Sequence, residues 1–158
     1  MMKLKHPSTC CVIGPTQAGK LYLVRQMINN NAYETPLQRI KCCYNYSPPP
    51  FINKDCKNIE FVSGLPENYE DDDLLIIDDN MLFLDEKVAD LLTIISHHCR
   101  VSCIPILQNL YFQNKYLRTI SLNTHYMILF KSARDMNQRN CLGRQLYPST
   151  WKFFSRNL

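Results

Sequence analysis

CCVIGPTQAGKLYLVRQ, residues 10 to 26, decides how the rest of the chain is read. Cys10 to Ile13 is a short apolar run of strand type. Gly14-Pro15 breaks it, and Gly19-Lys20 closes the turn before a helical pattern from Leu21 to Asn30. Gly14, Gly19 and Lys20 stand at the spacing G-x-x-x-x-G-K, that of a phosphate-binding loop made by Gly14, Pro15, Thr16, Gln17, Ala18, Gly19, Lys20 and Leu21. In such a loop the glycines let the backbone curl so that successive N–H groups point inward. The following helix presents its positive end, and the lysine reaches the β- and γ-phosphates. One position departs from the pattern. Where a Ser or Thr hydroxyl would hold Mg²⁺, this chain has Leu21. That residue favours the other reading, an ordinary glycine-bearing strand-to-helix turn.

Outward from this stretch, apolar runs and helical patterns alternate. Arg39 to Tyr44 reads as a second strand, followed by the stiff Ser47-Pro48-Pro49-Pro50. Ile59 to Val62 and Leu74 to Ile77 are further strands, separated by an acidic run from Glu67 to Asp73 that reads as a solvated loop. Leu84, Val88, Leu91, Leu92 and Ile95 have helical spacing within Leu82 to His98. Val101 to Leu107 and His125 to Phe130 are strands. Phe112 to Ile120 is helical or irregular, Asp135 to Leu146 is helical, and Trp151, Phe153 and Phe154 suggest a short docking helix. Near-continuous apolar strands alternating with helices predict an α/β domain with a buried, mostly parallel sheet.

The 158 residues suit a single domain, residues 1–158. A net charge of +4, from 18 basic and 14 acidic residues, is compatible with a nucleic-acid partner without requiring one. No run approaches the roughly 18 apolar residues of a membrane span, so no membrane partner is expected. MMKLKHPST lacks an apolar signal core, which predicts an intracellular protein. Eight cysteines fit that compartment as reduced, buried residues. His97, His98, Cys99 and Cys103 look superficially like metal ligands, but no second pair stands at zinc-finger spacing.

Leu74 to Asp79, LLIIDD, has the form of a buried strand ending in two carboxylates, the Walker B pattern. Asp78 would hold the Mg²⁺ shell, and Asp79 would orient or deprotonate the attacking water. Gln108 ends the strand from Val101. If that strand lies between those ending at Gly14 and Asp78, Gln108 faces the terminal phosphate, Asn109 being the next candidate for that role; the alternative is a polar residue that merely caps the strand. Arg118 and Arg134 are either surface arginines or charge-stabilising arginines offered to a neighbouring subunit, Arg118 being the better placed. Tyr111, Phe112, Lys115 and Tyr116 are candidates for base stacking or for rim packing.

GPTQAGK, LLIIDD, the long segment from Ser96 to Asp135 and the later RQLYP together resemble the FtsK/HerA-type DNA-packaging ATPases of polinton-like elements and animal double-stranded DNA viruses, a group that includes the poxvirus packaging ATPase. The resemblance runs from about Cys10 to Pro148. It implies a RecA-like P-loop NTPase fold, ATP and Mg²⁺ as cofactors, and a homo-oligomeric ring that moves double-stranded DNA. It also implies a host nuclear, cytoplasmic or virion-associated setting. Under it, Lys20 is similar to the Walker A lysine, Asp78 and Asp79 to the Walker B pair, Gln108 to the sensor glutamine, and Arg118 to an arginine beyond that sensor. Two departures bear on activity: Leu21, and a chain that stops soon after RQLYP, which reads as truncated at its C-terminus. The alternatives are a nucleotide-binding or interaction module without turnover, and a small-molecule kinase. Against the latter, no arginine-rich lid is visible between Ser96 and Gln108.

Overall fold

The computed structural model describes residues 3–49, 59–70, 73–78, 86–109, 115–131 and 136–150. Among them, β1 (Cys10–Ile13) leads into α1 (Lys20–Asn29), followed by β2 (Arg39–Tyr44), β3 (Ile59–Ser63) and β4 (Asp73–Ile77). A helical stretch comes next, α2 (Glu86–Asp90), a π segment (Leu91–Ile95) and α3 (Ser96–His98). It leads to β5 (Ser102–Leu107), α4 (Lys115–Leu122), β6 (Tyr126–Leu129) and α5 (Met136–Leu146).

The strands form one sheet in the order β3-β2-β4-β5-β1-β6, and every pairing is parallel. Sequence and sheet agree for a simple reason. A strand buried on both faces has no solvated side, so it needs an apolar residue at every position. Alternate residues then serve opposite faces. Cys10, Val12, Leu74, Ile76, Ile104 and Ile106 pack with Val24 of α1 on one face. Cys11, Ile13, Leu75, Ile77, Cys103 and Leu107 pack with Val88, Leu91, Leu92, Leu117 and Ile120 on the other. Helix α1 therefore covers one face, while α2, the π segment and α4 cover the other.

Two local expectations change. Asp73 belongs to β4 and is fully buried, so the acidic run is not all solvated loop. Its carboxylate accepts from Arg39 Nε at 2.8 Å, Lys41 Nζ at 3.4 Å and the Glu70 amide at 3.2 Å. That set of donors makes the buried charge tolerable, and Glu70 shares the same Arg39. The helix before β5 is not α throughout either. Thr93 and Ser96 donate their hydroxyls to the carbonyls of Ala89 and Leu92, a back-bonding that loosens a helix. Between them the chain takes i→i+5 turns, with Leu91 and Leu92 buried and Ile94 exposed. Among the described residues, no helix is long and apolar enough to cross a membrane.

Candidate functional site

In a parallel sheet every strand ends at the same edge, so Gly14 after β1, Asp78 after β4 and Gln108 after β5 share one rim. Strand β5 lies between β1 and β4, pairing Ile13 with Leu107 on one side and Ile77 with Pro105 on the other. This is the order on which the reading of Gln108 depends. With neighbouring parallel strands about 4.8 Å apart, Gly14 and Asp78 stand about 10 Å apart across the sheet. That gap is on the scale of a polyphosphate and its metal.

The loop from Gly14 to Lys20 is held by its own backbone. Gly14 N donates to Leu107 O at 3.0 Å, which pins the loop to β5, and Ala18 N closes a turn on Pro15 O at 3.2 Å. Gln17 and Gly19 adopt left-handed conformations (φ 64° and 92°), the alternation that turns successive amides toward a common centre. Glycine takes that conformation at Gly19 without strain. Gly19 also caps α1, and no side chain caps the first helical amides, so the helix presents donors and its positive end to the loop.

Lys20 is 7% exposed, and its Nζ donates to Gly14 O at 2.7 Å and Pro15 O at 3.1 Å. The ammonium is thus folded over the mouth of the curl, held by carbonyls that an anion's oxygens would replace or supplement. Asp78 is 5% exposed, and its amide donates to Cys43 O at 3.1 Å, which extends the β4–β2 pairing by one residue. Gln108 is exposed at the same rim. Thr16 and Gln17 are exposed on the loop, Pro15 and Ala18 are half-buried.

Leu21 faces elsewhere. It is half-buried and packs with the cluster that contains Cys10, Val12 and Val24, so it brings no oxygen to the loop. Arg118 lies on the exposed side of α4, while Leu117 and Ile120 turn inward. The structure therefore gathers Gly14, Lys20, Asp78 and Gln108 at one rim and leaves Arg118 on an outer surface. Asp79, Arg134, Tyr111 and Phe112 lie outside the described residues.

The sequence reading missed Phe130. Its amide donates to Ile13 O at 2.8 Å, and its side chain backs the loop. A Cβ built on Gly14 would lie 2.5 Å from Phe130 Cβ, and one on Gly19 would lie 3.9 Å from the Phe130 ring. The first glycine is thus required by close approach to a neighbouring strand. The available signal was the aromatic end of HYMILF, but its use depended on knowing that β6 pairs with β1. Gly14→Ala should cost about 1–3 kcal/mol, because Cβ against Cβ leaves no flexible group to move away. Denaturant unfolding of the variant measures it; unchanged stability would contradict the contact.

Among the described residues at the rim, the donors for a Mg²⁺ ion fit an arrangement completed by the nucleotide. Such ions are held by one or two carboxylates together with substrate phosphates and water. Asp78 supplies a carboxylate, whereas Leu21 removes the usual direct hydroxyl. The apolar recess lined by Met27, Tyr33, Leu37 and Ile40 is at the far end of α1 and takes no part in this rim.

No family model matches the chain, and no curated protein sequence matches it. Among solved structures it is similar to the genome-packaging NTPase B204 from Sulfolobus turreted icosahedral virus 2, solved in complex with sulfate. The identity is 9%, the TM-score is 0.61, and the match covers 94% of this chain and 86% of that one. At that identity the likeness is one of architecture alone: this chain has an α/β fold, an all-parallel six-stranded sheet flanked by helices, similar to that of a packaging NTPase.

Proposed function

We propose that the chain binds ATP at the rim between Gly14 and Asp78 and hydrolyses it as one subunit of a viral DNA-packaging or DNA-translocating motor. The observation that carries the proposal is the placement of β5 between β1 and β4, which sets Gln108 between the lysine loop and the acidic strand end. The similarity to a genome-packaging NTPase supports the same reading.

In this reading the loop amides and Lys20 hold the β- and γ-phosphates, neutralising charge as the terminal bond breaks. Asp78 holds the water shell of a nucleotide-borne Mg²⁺, which supplies charge neutralisation when bound. Asp79 orients the attacking water and takes its proton, and Gln108 positions that water against the γ-phosphate. Arg118, exposed on α4, is offered to an adjacent subunit in a homo-oligomeric ring. Such an arginine is worth roughly 10³–10⁵ in rate where it operates. The protein acts inside the host cell or the virion, on double-stranded DNA.

The test is DNA-stimulated ATP turnover beside Asp79→Asn and Gln108→Ala. Each variant should fall by about 10²-fold or more. Equal turnover in all three proteins would remove the catalytic claim.

Leu21 favours a second reading, a nucleotide-binding module with little or no turnover. Its side chain is committed to the apolar cluster, so position 21 brings no hydroxyl to the metal. On this reading ATP binds with weak Mg²⁺ dependence, and Leu21→Thr confers a dependence of about tenfold or more, on the scale of one charge-assisted contact. Calorimetric titration with and without Mg²⁺ checks it. Strong Mg²⁺-dependent hydrolysis by the unmodified chain would exclude this second reading.

A further inference from the structure

At the opposite edge of the sheet, three separate chain segments bring cationic and imidazole groups together. Residues 3–9 precede β1, residues 98–101 precede β5, and residues 123–125 precede β6; these are three adjacent strands. The segments are tied to one another. His6 Nδ1 and Ser102 Oγ are 2.7 Å apart, the Thr9 amide donates to His125 Nδ1 at 3.2 Å, and the Lys5 amide donates to Tyr126 Oη at 3.3 Å. Lys3, Lys5, His98, Arg100 and His125 are all exposed there. Since His125 Nδ1 accepts from an amide, the neutral ring carries its proton on Nε2 and remains a donor. None of the three segments contains Asp or Glu. Glu34, exposed, adjoins the first segment through its amide, which donates to Leu4 O; among the described residues it is the acidic one that a backbone hydrogen bond ties to these segments. The carboxylates of Glu70 and Asp73 belong to the β2–β4 half of the edge, where Arg39 and Lys41 pair with them.

Arg100 adds an independent sign. The amide of Val101 bonds Ser96 O at 2.9 Å, closing the helix with a Schellman-type turn, and Arg100 occupies the left-handed position of that turn (φ 50°). Glycine is the residue that takes this position without strain. A long, exposed cation held there at a conformational cost, on the segment that leads into β5, is consistent with a use for its side chain.

We infer that this edge is a binding surface for the phosphate backbone of duplex nucleic acid. The choice of duplex rests on the motor reading above; the cationic row itself does not. Three neighbouring strand ends spread the charges over about 10 Å, a row suited to a linear polyanion. A protein partner would be centred on apolar and aromatic anchors, and among the described residues Leu122 is the exposed large apolar side chain nearest in sequence to the patch.

Fluorescence anisotropy with a labelled duplex, without nucleotide and over 50–200 mM salt, tests it. The wild-type chain should bind with a salt-dependent constant. Combining Lys3→Gln, Lys5→Gln and Arg100→Gln should flatten the log–log salt slope by roughly 2–3 and weaken binding at least about tenfold at low salt. Lys87→Gln with Arg144→Gln, exposed cations elsewhere, should change affinity less than about twofold. Arg100→Gly alone should raise the melting temperature while weakening the duplex, which mere structural damage would not do. An unchanged slope in the triple variant, no duplex binding by the wild type, or tighter binding of polyglutamate than of duplex would each overturn the inference. Loss of ATP binding in Lys20→Ala with duplex binding intact supports a surface separate from the nucleotide rim. If the unmodified chain binds no ATP but binds duplex through these three residues, the motor reading fails while the surface stands.

Discussion

Replacing Lys20 by alanine should lower ATP affinity or turnover by at least about a hundredfold, the scale of one preorganised charged donor removed from a phosphate site. The ammonium is buried and already anchored by Gly14 O and Pro15 O, so little ordering remains to be done when a triphosphate arrives. Lys20→Arg should recover only part of the loss, because a planar guanidinium does not fit a seat built for a compact ammonium. Equilibrium binding of a fluorescent ATP analogue and steady-state turnover read the two effects separately. A wild-type affinity in Lys20→Ala would mean that the curl of residues 14–20 is only a strand-to-helix turn.

The second large effect is on stability at alkaline pH. Cys10, Cys11, Cys42 and Cys43 have thiols pushed up to about 12, in each case chiefly by burial. Neighbouring Cys11 adds to the rise at Cys10 and Asp78 to that at Cys42, while Lys41 opposes it at Cys43. Cys103 shifts in the same direction, again by burial. In the unfolded chain a thiol titrates near 8.5. Between that value and about 12 the folded chain keeps protons that the unfolded chain has released, so stability falls as pH rises. Each such thiol contributes a slope of about 1.4 kcal/mol per pH unit. Several acting together would consume a typical stability of about 5–15 kcal/mol by two or three units above the unfolded value. Below about pH 8 these groups contribute no pH dependence. The midpoint of guanidinium unfolding, followed from pH 7 to 10.5, should therefore hold steady and then drop steeply. Cys42→Val should soften the drop, and a flat midpoint to pH 10.5 would contradict the burial of these thiols.

Much of the sheet was legible because burial on both faces leaves a strong mark. LLII and VSCIPIL are apolar at almost every position and RIKCCY at its buried ones, and each of these runs lies in a strand near its expected bounds. The order of the strands was not legible in the sequence, and the reading of Gln108 depends on β5 lying between β1 and β4. What escaped the sequence depends on partners far along the chain. Phe130 supports Gly14 only because β6 lies beside β1. Asp73 is at home in β4 only because Arg39 and Lys41 come alongside in β2. The left-handed Arg100 was hidden for another reason: a helix-ending turn is announced by glycine, and here a bulky cation stands in its place.

A structure of the chain soaked or co-crystallised with a non-hydrolysable ATP analogue tests the nucleotide rim most directly. The phosphates should lie in the curl of residues 14–20, with Lys20 Nζ in hydrogen-bond contact with the terminal phosphate oxygens, and Asp78 should face them from beyond β5. Phosphates lodged outside that curl, for instance in the apolar recess beside Tyr33, or a Lys20 still closed on Gly14 and Pro15 with the nucleotide bound elsewhere, would contradict it.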